Sequence, residues 1–180
     1  SLAIAQNLDR WDAAYFVVAS KSDKITGDTC KPRAFRTNHA DNMDIAMINQ
    51  WAKNLPGKTY AVMAADYVWG RDSGESFGLI PKTKLVGHSL ILNFMINATG
   101  KALEGTPGTT GYTPDIDNAR NRAFVSAWRA KFNRLPTDNE GQAYNGAQVM
   151  FEGIKLSKSV KPEEVSKALR GAQLDTIYGN

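Results

Sequence analysis

Cysteine and histidine are nearly absent from this 180-residue chain: Cys30 is the sole thiol, and His39 and His88 are the sole imidazoles. A single cysteine excludes an internal disulfide. Without a His-x-x-x-His or Cys-x-x-Cys spacing, a protein-borne zinc centre has no ligand set either, so neither metal nor cofactor is expected. No apolar run reaches the ~18 residues of a membrane span. Basic residues exceed acidic ones by only four, scattered without a run of five or six, which leaves no nucleic-acid footprint. Gly-x-Ser-x-Gly, Gly-x-Gly-x-x-Gly, Walker A and His-Glu-x-x-His patterns are all missing. Gly70-Arg71-Asp72-Ser73-Gly74 is too short and wrongly spaced for a phosphate loop. Asp66, Asp72 and Glu75 form a local acidic group, read as surface or cap residues rather than an acid–base pair. An enzyme of flavodoxin-like or Rossmann type therefore has nothing to stand on. The chain opens at Ser1 without a Met, a basic n-region or an apolar h-region, so either a targeting segment has been removed or the start is internal.

What is present is an ordinary globular composition, 42% apolar and 22% charged, enough for one domain or two small lobes. Ser1–Arg10 carries Leu2, Ile4, Ala5 and Leu8 at helical spacing. Ala13–Ala19 is a continuous apolar run, the pattern of a strand buried on both faces. Ser20–Arg36 is polar, contains Gly27 and Pro32, and reads as a loop. Asp41–Leu55 repeats apolar residues at helical spacing, with Asn38 or Asp41 as N-cap and Pro56-Gly57 as the stop. Lys58–Ala65 and Thr83–Gly87 read as strands, Arg71–Phe77 as the start of a helix, Leu90–Ala98 as a short helix, and Gly105–Tyr112 as a linker. From Asp117 the pattern is helical up to Pro136, then over Asn139–Leu156 with Ala143, Tyr144, Ala147, Met150, Phe151 and Ile154 on one face. A last helix runs from Pro162 to about Leu169. Trp128, Phe132 and Phe151 are expected in the core. Alternating strands and helices indicate an α/β chain around a parallel sheet, although three strands are few for this length.

Two strand ends attract attention, because ligands of open α/β sheets bind beyond the carboxyl ends of the strands. The first is Ala19-Ser20-Lys21-Ser22-Asp23. Its hydroxyls and main-chain N–H groups can hold a carboxylate, with Lys21 adding charge; a strand-to-helix turn with a Ser or Asp cap is the alternative. The second is Asp66-Tyr67-Val68-Trp69-Gly70, where Asp66 can meet an ammonium and the two rings can cover apolar surface; the alternative is a core Trp69.

The order of these pieces resembles the periplasmic substrate-binding proteins of ABC importers, type I, of the leucine/isoleucine/valine-binding kind. SLAIAQNLDRWDAAYFVVASKSDKITG is similar to the helix, strand and serine-rich loop of the first lobe. CKPRAFRTNHADN is similar to the first crossing into the second lobe, and KTYAVMAADYVWGRDSGESF to that lobe's opening strand and aromatic-Gly turn. KTKLVGHSLI resembles a later strand, EGTPGTTGYTP with the helices after it the return crossing and paired helices, and Pro162–Asn180 the last helix and third crossing.

The resemblance implies a two-lobed, hinge-linked α/β fold of Venus-flytrap type with parts of both lobes missing. Residues 1–36 and 106–174 would form lobe one, 37–105 lobe two, and 175–180 the start of the last crossing. It implies a periplasmic solute-binding protein, not an enzyme, that takes an amino acid (a branched-chain one above all) or a related small carboxylate in an interlobe cleft. The ligand would then pass to an ABC permease at the membrane. Ligand contacts would fall at Ala19, Ser20, Lys21 and Ser22 and at Asp66, Tyr67, Trp69 and His88. A ligand-sensing regulator on the same fold, signalling to a protein partner, is the alternative.

Overall fold

A computed structural model describes residues 1–54, 87–88 and 108–179. The expected elements at Lys58–Ala65, Arg71–Phe77 and Leu90–Ala98 lie outside the described residues, as do the acidic positions Asp72 and Glu75. The chain divides into two compact units. One comprises Ser1–Ser20, Lys24–Asn38 and Gly111–Asn180; the other comprises Lys21–Asp23 and His39–Thr110.

The first unit opens with α1 (Leu2–Gln6) and β1 (Tyr15–Val17). β1 pairs in parallel with β2 (Ala34–Arg36), in the register Tyr15 to Ala34 and Val17 to Arg36. Two sequence expectations are corrected here. The strand is not buried on both faces: Val17 is fully buried, but Tyr15 and Phe16 are half-buried, and Phe16 stacks on Phe35 at 5.5 Å. The polar stretch Ser20–Arg36 is not all loop either. It ends in β2, and a short 3-10 turn at Asp23–Ile25 drives Ile25 into the core with Ala5 and Val17.

Three helices complete this unit, α3 (Ala119–Phe132), α4 (Asp138–Ser157) and α5 (Pro162–Leu169), while α2 (Asp41–Ala52) belongs to the second unit. α3 is capped by Asn118, whose side chain accepts the Asn121 N–H, and ends on Asn133 in the left-handed region. α4 begins with a reciprocal capping box between Thr137 and Glu140. The Arg134 guanidinium grips the same Glu140 carboxylate at 2.5 and 2.8 Å, holding it well below the usual carboxylate range, at about 2.

The face that α4 buries is not the apolar one. Gly141, Gln142, Asn145, Gly146 and Gly153 are buried, while Tyr144 and Phe151 are exposed. Close approach explains this choice. A Cβ at Gly146 would sit 2.0 Å from Val18 Cγ1, and one at Gly141 would sit 2.2 Å from the Tyr112 ring. At Gly153 a Cβ would meet Leu169 and Val165 of α5 at 2.8–2.9 Å. Small residues let the helix backbone lie against its neighbours, and the bulky side chains are left on the far side.

The expected core position of three aromatics is corrected for the same reason. Phe132 and Phe151 are exposed, 45% and 56%, and Trp128 is half-buried. Phe132 lies against Trp128 at 4.3 Å, with Lys131 and Arg134 near the rings. The core instead centres on Tyr112, Phe124 and Ile177. Tyr112 donates to Asn121 Oδ1 at 2.8 Å, and burial pushes its hydroxyl up to about 12.

The second unit contains α2 (Asp41–Ala52), with Ile45 and Ile48 buried, and the short strands β3 (Gly87–His88) and β4 (Gly108–Thr109), which pair in parallel. Helix α2 starts at Asp41 itself, so Asp41 is its first residue rather than its cap. β4 lies within the expected linker Gly105–Tyr112. No helix among the described residues is long and apolar enough to cross a membrane.

Candidate functional site

β1 ends at Val17, and its carbonyl accepts both the N–H and the hydroxyl of Thr37, which follows β2. Asn145 of α4 donates to the Thr37 carbonyl at 2.9 Å, so the carboxyl ends of both strands are fixed to one helix. Ala19, exposed, and Ser20, half-buried, follow directly. The Ser20 carbonyl accepts from Arg36 Nη1 at 2.7 Å and from Asn38 Nδ2 at 3.3 Å, and its hydroxyl donates to Ser1 Oγ at 2.9 Å. Arg36 also donates through Nε to Thr26 Oγ1 at 3.1 Å. Its planar fork thus bridges two loops that β1 and β2 alone would not hold.

Lys21 and Ser22 belong to the second unit. The Lys21 carbonyl accepts the Asp41 N–H at 3.0 Å, and Asp23 Oδ2 accepts the Asn42 N–H at 3.1 Å. Helix α2 therefore has its first N–H groups satisfied by a segment some twenty residues earlier, and the Asp23 carboxylate sits where the helix dipole favours it. Lys21 Nζ lies 3.0 Å from Asp44 Oδ2, and His39 Nε2 lies 2.8 Å from the same oxygen. Asp44 is fully buried and Asp41 is 1% exposed.

Of the expected site residues, Ala19, Ser20, Lys21 and Ser22 thus form one continuous loop after β1, with Ser22 buried. Asp66, Tyr67 and Trp69 lie outside the described residues. Of His88 the structure describes only the backbone, in β3. Sequence reasoning missed Arg36, His39 and Asp44. The two acids Asp41 and Asp44 in the first turn of α2 were a visible signal, but the pairing of Asp44 with Lys21 has no spacing signature. Among the described residues no group of three or more His, Cys, Asp or Glu is placed to hold a metal ion.

A family model described as periplasmic binding protein matches residues 72–180. No curated protein matches the chain. Among solved structures, a leucine binding protein from Thermotoga maritima is 19% identical with a TM-score of 0.78, covering 99% of this chain and 67% of that one. A solute binding protein of an ABC transporter from Rhodopseudomonas palustris, in complex with 3,4-dihydroxy benzoic acid, is 18% identical with a TM-score of 0.77, over 99% of this chain and 65% of that one. An ABC transporter substrate-binding protein from Desulfitobacterium hafniense, in complex with Leu, is 16% identical with a TM-score of 0.73, over 99% and 68%. The chain spans about two thirds of the length of these structures. Their fold is the type I periplasmic-binding fold, an α/β architecture with open parallel sheets.

Proposed function

The chain belongs to the periplasmic binding protein family, and from that premise we propose that it is an extracytoplasmic solute-binding protein of an ABC importer. Its ligand is an amino acid or related small carboxylate, held between two lobes and delivered to a membrane permease. The observation that carries this reading is the family match over residues 72–180, joined to fold likeness along 99% of the chain. The two compact units correspond, in this reading, to the two lobes.

The ligand class is supported by chemistry common to the similar structures: leucine and 3,4-dihydroxy benzoic acid both carry a carboxylate. Ala19, Ser20, Lys21 and Ser22 form the carboxylate loop on the described side. Its hydroxyls and main-chain N–H groups lie beyond the carboxyl end of β1, where open α/β sheets take their ligands. Asp66, Tyr67, Trp69 and His88 are proposed to supply the opposite wall, with rings for apolar surface and Asp66 for an ammonium. A branched-chain amino acid uses all of these features; an aromatic acid uses all but Asp66. The protein is read as a binder rather than a catalyst.

The test is a titration of the purified chain with leucine, isoleucine, valine, benzoate and 3,4-dihydroxybenzoate, followed by calorimetry and tryptophan fluorescence. At least one probe is expected to bind with a dissociation constant in the micromolar range or tighter and to change the emission. Saturation at a hundred times that constant raises stability by about 2.7 kcal/mol. Absence of heat and of a fluorescence change with every probe overturns the reading.

A further inference from the structure

We propose that Asp44 is a positioning residue for the Ala19–Ser22 loop: it holds Lys21 in a buried ion pair with His39 against the same oxygen, so the loop meets a ligand carboxylate through neutral donors. The inference rests on the reading of that loop as the carboxylate site. Lys21 and His39 are each the first residue after the chain enters the second unit from the first. One oxygen of a fully buried carboxylate accepts from Lys21 at 3.0 Å and lies 2.8 Å from His39 Nε2, and the two side chains are themselves only 11% and 13% exposed. A carboxylate stripped of water keeps its charge only with a compensating cation beside it, and removing that cation is strongly destabilising. A ligand carboxylate that drew Lys21 to itself would take that cation away from the buried Asp44.

The backbone points the same way. The Lys21 carbonyl and the Asp23 carboxylate are both bonded to the first N–H groups of α2, so the segment is docked by its main chain as well as by its ammonium. One residue earlier, the Ser20 carbonyl is held by Arg36 and Asn38. Consecutive carbonyls are therefore each anchored within their own unit. What the loop offers a single carboxylate is its main-chain amide donors, as suits a ligand that carries its own ammonium or a neutral ring rather than a second acid group.

The experiment uses the whole chain with Lys21→Met, Lys21→Arg, Asp44→Asn and the Lys21→Met/Asp44→Asn pair. Thermal unfolding without ligand reads the cluster itself. Each neutralising single variant is expected to melt about 10 °C low. Lys21→Arg should recover most of the loss, and the double variant should melt above the sum of the two single losses. Additive losses overturn the proposal. Binding of leucine and benzoate reads the consequence: Lys21→Met and Asp44→Asn, which both release the loop, weaken each probe to within about three-fold of one another and the affinity depends weakly on salt, whereas a loss in Lys21→Met more than ten-fold beyond that in Asp44→Asn makes Lys21 the ligand's own counter-charge and overturns it. If the unaltered chain binds neither probe, the transport reading falls, and the unfolding cycle still decides whether Asp44 clasps the two segments.

Discussion

Helix α4 carries its own start, whereas α2 borrows one. The α4 start is written in four consecutive residues: Thr137 accepts the Glu140 N–H, and Glu140 accepts the Thr137 N–H at 2.7 Å. The α2 start is supplied by Lys21 and Asp23, far away in sequence. A local cap forms wherever its tetrapeptide is helical, and its strength is nearly independent of the rest of the protein. A borrowed cap exists only while the lending segment is in place, so helix and segment order together. In this chain the lending segment is also the proposed ligand loop. The contrast shows how a binding site can be coupled to a helix without any residue of that helix touching the ligand.

The largest expected effect challenges the self-sufficiency of α4. Gly141→Ala places a methyl group 2.2 Å from the Tyr112 ring, and that ring cannot swing aside while its hydroxyl is bonded to the buried Asn121. A loss of about 3 kcal/mol is expected in urea unfolding. A loss below half of that would mean that α4 tolerates displacement and is held by its cap alone.

Next is the acid limb of the α4 start. Glu140 has a folded pKa of about 2, chiefly because Arg134 donates to it, against 4.5 for an ordinary glutamate. A depressed carboxylate contributes stability that is complete above the unfolded value and disappears as pH falls through the folded one. The loss therefore falls between about pH 4.5 and pH 2. With the carboxylate a quarter exposed and Arg134 half exposed, about 1 kcal/mol is expected. Glu140→Gln should remove that part of the pH dependence; an unchanged acid limb would show that Arg134 and Glu140 do not act as a pair.

A matched pair sharpens the comparison further. Thr137→Ala and Asp23→Ala should each cost about 1 kcal/mol, since each removes one helix-start acceptor. Only Asp23→Ala should weaken binding of the carboxylate probes, by several-fold. Equal binding losses in both variants would erase the distinction between local and borrowed caps. The smallest effect concerns the far end of α4, where Lys158 sits at φ 53°, ψ 31°. Lys158→Gly relieves a left-handed lysine and should raise stability by about 0.5 kcal/mol in the same urea assay.

Much of the fold was legible because its signals are local. Pro162 at the first helical position with Glu163 and Glu164 behind it locates α5, and Asn139–Leu156 falls one residue inside each end of α4. The Thr137-x-x-Glu140 pattern accounts for the residue at the start. The buried face of α4 was not legible, because periodicity counts apolar residues and the contact is made by glycines and amides. β2 escaped because three residues, one of them Arg36, make no alternation. At the site, the Ala19–Ser22 loop followed from the end of a strand. The Lys21–Asp44–His39 cluster did not, since an ion pair across a chain crossing leaves no mark in spacing.

The carbonyls of residues 32 and 37 have a consequence for the order in which the chain can fold. Pro32 receives Ser166 and Arg170 from 134 and 138 positions downstream, and Thr37 receives Asn145 from 108 positions downstream. More than a hundred further residues must leave the ribosome before this segment meets the groups that hold it, a wait of about ten seconds or more at ordinary synthesis rates. Throughout that interval β1 and β2 have no α4 to lie against, and the nascent chain stays open to whatever handles unfolded polypeptides.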